Sequence, residues 1–578
     1  MIDNFFKVFS VIDKKQRIKV IYVIFLLILL AFFELLGIGV FLPLIGLLIE
    51  NNSSDHFISL SFIITLKEIV NINSSINFAL LIIFSIFLLK FIFVNLINIF
   101  SNKIIFQIQR SLKEKLFKNY LNRNYISFIK DNASYATRTI VENTNQLTIG
   151  ILRSFITLMS EFFLLFFILS FLIYLNPKSA LTVFIIFGVS SFLFLKILEK
   201  KLIKWGELKN YHGGEALKVL QESLKGFKEI KLSNLLNFFF SKFKFHNKHL
   251  TDASRKQVIS STIPQYYLEF VAILSFIIFI ITLNFQGVPG KDIIVYLGVY
   301  SVAAFKILPS INRLVNSFNT IKFGQACINN VYENTLFKTS NLDSNTMNYG
   351  KLNSINFKNI NFYYEKEKLI FQNLNINLDR EKIIGVFGES GSGKSTFVNL
   401  LCGLIKPKSG IIKYNQISIY ENIISYQKKL SVVPQDVFIL DDSIKHNIAI
   451  GVESKNIDKD LLDQCLKQAH LYNFVDSLPN KYNTRLGENG VFLSVGQKQR
   501  IGIARALYKK AEIIIFDEST NSLDEYTENE FIKNIQELKK TALIIFITHK
   551  KQLSSFFDET YLLKNQTFLL NKKNNEFH

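Results

Sequence analysis

Two stretches in the second half of the chain carry residues whose types and spacing handle phosphate. The strand-like EKIIGVF runs into GESGSGKST, Gly388–Thr396, and then into the helix-like TFVNLLCGL. This is the G-x-x-x-x-G-K-[ST] pattern in the strand–loop–helix setting its mechanism requires. Glycines (Gly388, Gly391, Gly393) let backbone N–H groups close around phosphate oxygens, and Glu389, Ser390 and Ser392 complete the loop. Lys394 reaches the terminal phosphates, and the Ser395 hydroxyl, next to Thr396, can coordinate Mg²⁺. The N-terminus of the following helix adds partial positive charge. About 120 residues on, AEIIIFDEST is an apolar strand ending in two acids. Asp517 is positioned to hold Mg²⁺, and Glu518 to orient or deprotonate an attacking water.

Between these motifs lies FLSVGQKQRIGIARAL, in which Leu493-Ser494-Val495-Gly496-Gln497 resembles the signature motif of ATP-binding-cassette (ABC) transporters. The family pattern has Gly where Val495 stands. The resemblance implies that Ser494 and Gly496 of one cassette contact the γ-phosphate of ATP held by another, with Gln497 beside them. Other family elements follow in order. Tyr364, in NFYYEKEK, resembles the aromatic that stacks on adenine, ahead of its neighbour Tyr363. Gln435 resembles the glutamine that links Mg²⁺ to the membrane domain, and Asn521-Ser522-Leu523-Asp524 the segment after the catalytic glutamate. His549, in IIFITHKK, resembles the switch histidine on the γ-phosphate. The implied activity is ATP hydrolysis, with ATP and Mg²⁺ as cofactors.

The elements that must position these residues divide at about residue 340, where SNLDSNTMNYG reads as a linker. Residues 1–340 are expected to form an α-helical transmembrane domain, and 341–578 an α/β P-loop nucleotide-binding domain. Six apolar runs qualify as spans: Val20–Leu48, Phe78–Phe100, Ile151–Leu175, Ala180–Leu198, Ile263–Leu283 and Ile293–Ser310. The charge pattern fits that count. Ser101–Gly150 has eight Lys/Arg against three acids, and Lys196–Lys256 fourteen against six, while Glu50–Asn77 has one Lys against three acids. Basic loops alternating with poorly charged ones place both termini in the cytoplasm and account for the net charge of +21 without nucleic acid. The two long cytoplasmic connections are helix-compatible, so the spanning helices are expected to continue well past the bilayer. Cys327, Cys402 and Cys465 have no paired spacing, which argues against a structural disulfide or metal site. The N-terminal MIDNFFKVFSVIDKKQRIK lacks the apolar core and cleavage site of a signal peptide, so the first run reads as a retained span.

Six spans ahead of one cassette resemble a half-transporter of the type IV ABC exporter kind. One cassette holds half of each composite ATP site, which implies a homodimer in a bacterial inner membrane. Cargo must be read from the membrane half, where ionisable groups are costly and usually face a cavity or a partner. Glu34, Lys90, Glu161, Glu269, Lys306 and Arg313 lie in or near the spans. A cavity holding Lys90 and Lys306, with Arg313 nearby, would suit an anionic head group. The alternative is that these charges snorkel or form structural ion pairs.

The stretch HFISLSFIITLKEIV, between the first two spans, is too short to cross a bilayer. As a helix it gathers Ser61, Thr65 and Glu68 on one narrow polar face and suits the outer membrane interface. As a strand, Ile58, Leu60, Phe62, Ile64 and Leu66 alternate with polar neighbours. The helix is preferred because no nearby segment offers a partner strand. Such an external helix, with YLNRNYISFIKDN, IPQYYLEF and FKILPSINR, resembles the PglK-type lipid-linked oligosaccharide flippases. That resemblance implies that Phe62 and Leu66 meet a lipid tail and basic cavity residues meet a pyrophosphate. Lys90 and Lys306 stand where Arg is expected, and Gln265 where a third base is expected; lysine lacks the bidentate fork of arginine. The competing expectations are an exporter of lipid A-type lipid, peptide or hydrophobic drug, and a transport-dead scaffold or regulated channel. Intact Lys394, Asp517, Glu518 and His549 argue against the last.

Overall fold

The computed structural model describes residues 1–39, 75–130, 132–175, 177–288, 290–336, 347–364, 369–519, 525–564 and 566–571. The expected external helix with Phe62 and Leu66 lies outside these residues, as do the end of the first apolar run and Asn521–Asp524. The chain forms two compact units: Met1–Arg123 with Ser127–Thr339, and Asn124–Ile126 with Ser340–His578.

The first unit is helical, as long apolar stretches must be where no water can satisfy the backbone. Its main helices are Lys14–Gly39, Ser75–Leu121, Arg153–Leu175, Pro177–Lys225, Leu236–Phe285 and Gly290–Phe323. Five helices among the described residues are long and apolar enough to span a membrane, and the sixth apolar run lies within Gly290–Phe323. Three helices run 47, 49 and 50 residues, about 70–75 Å at 1.5 Å per residue, against a hydrocarbon layer of about 30 Å. The expected continuation past the membrane is therefore built as unbroken helix. Ahead of Arg153–Leu175 lie two π-helical segments, Thr139–Asn143 and Gln146–Leu152. The hydroxyl of Thr148 there donates back to the Thr144 carbonyl at 2.8 Å.

The second unit has two sheets. An antiparallel one runs in the order β2-β1-β4-β5, with β1 Ser354–Tyr363, β2 Leu369–Asp379, β4 Ser409–Tyr414 and β5 Ile417–Ser418. The other runs β10-β9-β3-β8-β7-β6, with β3 Ile383–Gly388, β6 Leu430–Val433, β7 Ile513–Asp517, β8 Leu543–Ile547, β9 Glu559–Lys564 and β10 Thr567–Asn571. Its members β9, β3, β8, β7 and β6 are parallel. Parallel strands are covered on both faces, which is why β3, β7 and β8 read as unbroken apolar runs and are buried almost throughout. Because β3, β8 and β7 are neighbours with a common direction, their C-terminal ends share one edge, where ligands of open α/β sheets bind. Burial pushes the thiol of Cys402 up to about 12 and that of Cys465 up to about 11.

One buried amide ties the segment after Gln435 to this framework. Asn447 is fully buried; its Oδ1 accepts from Leu440 N at 2.9 Å, and its Nδ2 donates to the carbonyls of Leu440 at 3.0 Å and Ser443 at 3.1 Å. Arg505, on the helix Val495–Tyr508, donates to the carbonyls of Asn447 and Phe438, each at 2.9 Å. Asn447→Ala should destabilise the cassette by about 2 kcal/mol, since it strands buried backbone groups. Thermal unfolding of the full chain in detergent checks this, and a cassette transition at the wild-type temperature would show that the loop holds itself.

Candidate ATP site and membrane ion pairs

At the shared sheet edge, β3 delivers the phosphate loop. Gly391 and Gly393 have φ of +81° and +111°, left-handed values that side chains rarely adopt. A Cβ on Gly393 would also meet Ile370 at 2.9 Å, and one on Gly388 would meet the Ser392 hydroxyl at 2.6 Å. The loop closes on Lys394, which is 7% exposed and donates Nζ to the carbonyls of Gly388 at 2.8 Å and Glu389 at 3.0 Å. Burial holds its ammonium below the ordinary lysine range, against the opposing pull of Glu518 and Asp517. The Ser392 hydroxyl is buried without a hydrogen-bond partner, as is that of Ser519. A buried cation and an unanswered donor in a glycine-rich loop at a helix N-terminus fit a phosphate chain.

The two acids come from the adjacent edge. Asp517 ends β7, and burial pushes its carboxyl up, with the neighbouring Glu518 adding to the shift. Glu518 takes a positive φ of 49°, and its N–H donates to the Ile547 carbonyl at 2.9 Å. That turn points its carboxylate at His549, just beyond β8, and Glu518 Oε1 and His549 Nε2 are in direct contact. The sheet thus brings together Lys394, Asp517, Glu518 and His549 from sequence positions more than 150 residues apart. A carboxylate held by an imidazole beside a phosphate-sized loop can orient and deprotonate water.

The other candidate residues differ in exposure and partners. Ser395 is exposed next to Lys394, Thr396 is buried, and Gln435 is exposed, with its carbonyl accepting from Gln499 at 3.5 Å. Ser494 caps the helix Val495–Tyr508: its hydroxyl accepts from Gln497 N at 3.2 Å, and Gln497 Oε1 accepts from Ser494 N at 2.8 Å. Gln497, expected to border ATP, is thereby used to build the helix start. Around it Val491, Phe492 and Val495 are 69%, 78% and 65% exposed. Tyr364 is 44% exposed and meets Phe362 edge-on, whereas Lys408 sits over the ring of Tyr363 at 5.2 Å.

In the membrane unit the charges expected to line a basic cavity are more nearly balanced than the sequence suggested. Lys90 Nζ lies 2.5 Å from Glu34 Oε1, and Lys306 Nζ lies 3.2 Å from Glu34 Oε2. Three helices far apart in sequence therefore share one carboxylate, whose side chain is 14% exposed, as against 15% for Lys90 and 35% for Lys306. Arg313 differs from the expectation of a cavity base. Its Nε and Nη2 both donate to Glu161, at 2.5 and 3.1 Å, and Ser310 adds a third bond at 2.6 Å. This is the structural ion pair of the alternative reading. Sequence reasoning named Glu34 only as a charge in a span; the rule that an intramembrane acid needs a partner was the signal that placed it. Gln265 donates to Glu269 at 3.3 Å in a different groove, of about 600 Å³, lined also by Phe276, Phe305, Leu308 and Asn312.

This geometry sets two tests. Tyr364→Ala should weaken ATP binding by roughly 1–3 kcal/mol through lost stacking, while Tyr363→Ala should leave it nearly unchanged; titration with a fluorescent nucleotide separates them, and the reverse order would move the adenine to Tyr363. Glu518→Gln should retain ATP binding but lose most steady-state hydrolysis, because the catalysis is positioning and electrostatics. Turnover near the wild-type rate would remove Glu518 from that role.

Comparison with known proteins agrees with this division of labour. Residues 20–288 match the ABC transporter transmembrane region, and residues 371–521 match the ABC transporter cassette, together well over half of the chain. The chain is 25% identical over 461 residues to the ATP-dependent lipid A-core flippase of Paraburkholderia xenovorans (strain LB400), covering 78% of this chain and 75% of that protein. It is likewise 25% identical over 468 residues to the protein of the same name from Pseudoalteromonas translucida (strain TAC 125), covering 79% of each. The solved structure of a bacterial Atm1-family ABC exporter with ATP bound superposes with a TM-score of 0.81 at 19% identity, over 97% of this chain and 95% of that one, which shows the fold. A transmembrane region followed by a cassette, folded as an exporter, makes this chain an ABC half-transporter, an ATPase whose hydrolysis is coupled to transmembrane transport.

Proposed function

We propose that this half-transporter is a flippase that moves a polyprenyl-pyrophosphate-linked oligosaccharide from the cytoplasmic to the outer leaflet of a bacterial inner membrane, for protein N-glycosylation or surface-glycan assembly. It works as a homodimer with both termini in the cytoplasm. The observation that carries the reading is the meeting of Lys90 and Lys306 on Glu34 within the spans. Two lysines against one acid leave positive charge in a low-dielectric site, where an anionic head group gains most. The external stretch Phe57–Val70 serves the lipid tail.

At the cassette, Lys394 and the loop N–H groups hold the phosphates, and Glu518, steadied by His549, orients the attacking water. The crowded Asp517 and Glu518 carboxylates fit a divalent cation. Ser395, Gln435 and Asp517 would hold Mg²⁺, which supplies charge neutralisation on the phosphates when bound. Ser494 and Gly496 of a second copy close over the nucleotide. The exposed Val491, Phe492 and Val495 support that pairing, since three neighbouring apolar side chains in water call for a cover.

A second reading, a lipid A-type cargo, is favoured by the names of the relatives. Flipping assays in liposomes distinguish the two, with a diphosphate-linked glycolipid and a bisphosphorylated acyl glycolipid offered separately. ATP-dependent movement of the first is expected, and movement of the second alone would overturn the glycan reading. Phe62→Ser with Leu66→Ser should lower the lipid flipped per ATP hydrolysed, since lost apolar area weakens tail contact at about 25 cal/mol per Å². A double variant with wild-type coupling would make the stretch a spacer.

A further inference from the structure

The Glu34 triad is the most heavily charged cluster among the described residues of the spans. Its geometry is specific. Glu34 uses both carboxylate oxygens, one for each lysine. The other charges nearby do not alter the balance. Arg313 and Glu161 answer each other, and Glu269 lies with Gln265 in a groove lined by Phe305 and Leu308 rather than by Lys306. Among the described residues, each protomer therefore offers one uncompensated positive charge at this cluster, and the proposed homodimer two.

We propose that Glu34 is a built-in counter-anion that sets the charge of the head group this transporter accepts. The inference rests on the proposed reading of Lys90 and Lys306 as the head-group site. A pyrophosphate esterified at both ends carries one negative charge on each phosphate, so it meets two positive charges and closes the balance. A head group with two phosphate monoesters carries about −1.5 to −2 on each, and over-fills the same site. Excess charge in a low-dielectric cavity is costly in either direction. Without Glu34 the two copies would offer four positive charges, and the preference would turn toward the more acidic head group.

The test uses the full-length homodimer in liposomes and reads lipid-stimulated ATP hydrolysis against lipid concentration. The probes are a polyprenyl-diphosphate disaccharide and a bisphosphorylated glucosamine-disaccharide acyl lipid. Wild type is expected to respond at lower concentrations of the diphosphate lipid. Glu34→Gln is expected to shift the ratio of half-maximal concentrations by about tenfold toward the bisphosphorylated lipid, and Glu34→Gln with Lys306→Gln to return it, because the double variant restores the net charge. Lys306→Gln alone, which neutralises the triad, should flatten the discrimination and serves if Glu34→Gln does not assemble. An unchanged ratio in Glu34→Gln or Lys306→Gln, a double variant that behaves like Glu34→Gln, or a wild type that prefers the bisphosphorylated lipid would overturn the inference. A wild type that neither lipid stimulates would overturn the cargo reading itself.

Discussion

A buried cation must have its charge answered, and this requirement organises both units of the chain. In the cassette, Lys394 is withdrawn from water and bonded to two carbonyls of its own loop. Neutral carbonyls satisfy its donors without cancelling its charge, which leaves a phosphate as the stronger partner. The parallel order β3-β8-β7 then brings Asp517, Glu518 and His549 to the edge where that phosphate would lie. In the membrane unit the same cost is met by Glu34, shared between Lys90 and Lys306. The difference in how completely the charge is met divides the two roles. A cation bonded only to neutral carbonyls, with Asp517 and Glu518 near it, suits a nucleotide phosphate and its metal, and on the proposed reading the positive charge left over in the triad suits an anion of limited charge.

The exposed signature region completes the argument for two copies. Ser494 and Gln497 spend their side chains on a reciprocal helix cap, which fixes the helix start rigidly while leaving its outer surface open. Val495 stands on that surface where the family has glycine, next to Phe492. An apolar rim around a helix N-terminus suits burial against another cassette, with the helix end aimed at phosphate oxygens.

The fold of the cassette was legible in the sequence. Its chemistry sits in contiguous motifs, and the strands that deliver them are unbroken apolar runs with one natural reading. The membrane unit was legible as helices and their lengths, because hydropathy and charge report on depth. Its pairings were not. Glu34, Lys90 and Lys306 come from three separate helices, and Glu161 and Arg313 from two, so nothing local in the sequence says which acid answers which base. The cap made by Gln497 was not foreseen for the opposite reason. Its partner is only three residues away, but capping geometry competes with ligand contact for the same side chain. The interfacial helix expected over Phe57–Val70 lies outside the described residues.

The central claim, that each chain carries half of an ATP site which a second copy completes, is tested most directly by mixed dimers. One chain carries Lys394→Ala and its partner Gly496→Asp, and vanadate-trapped nucleotide is counted per purified mixed dimer. Sites built across two copies leave one site intact in the mixed dimer, so one trapped nucleotide is expected, against none in either parent homodimer. Sites built within one chain would both be broken, and a mixed dimer that traps no nucleotide would contradict the account.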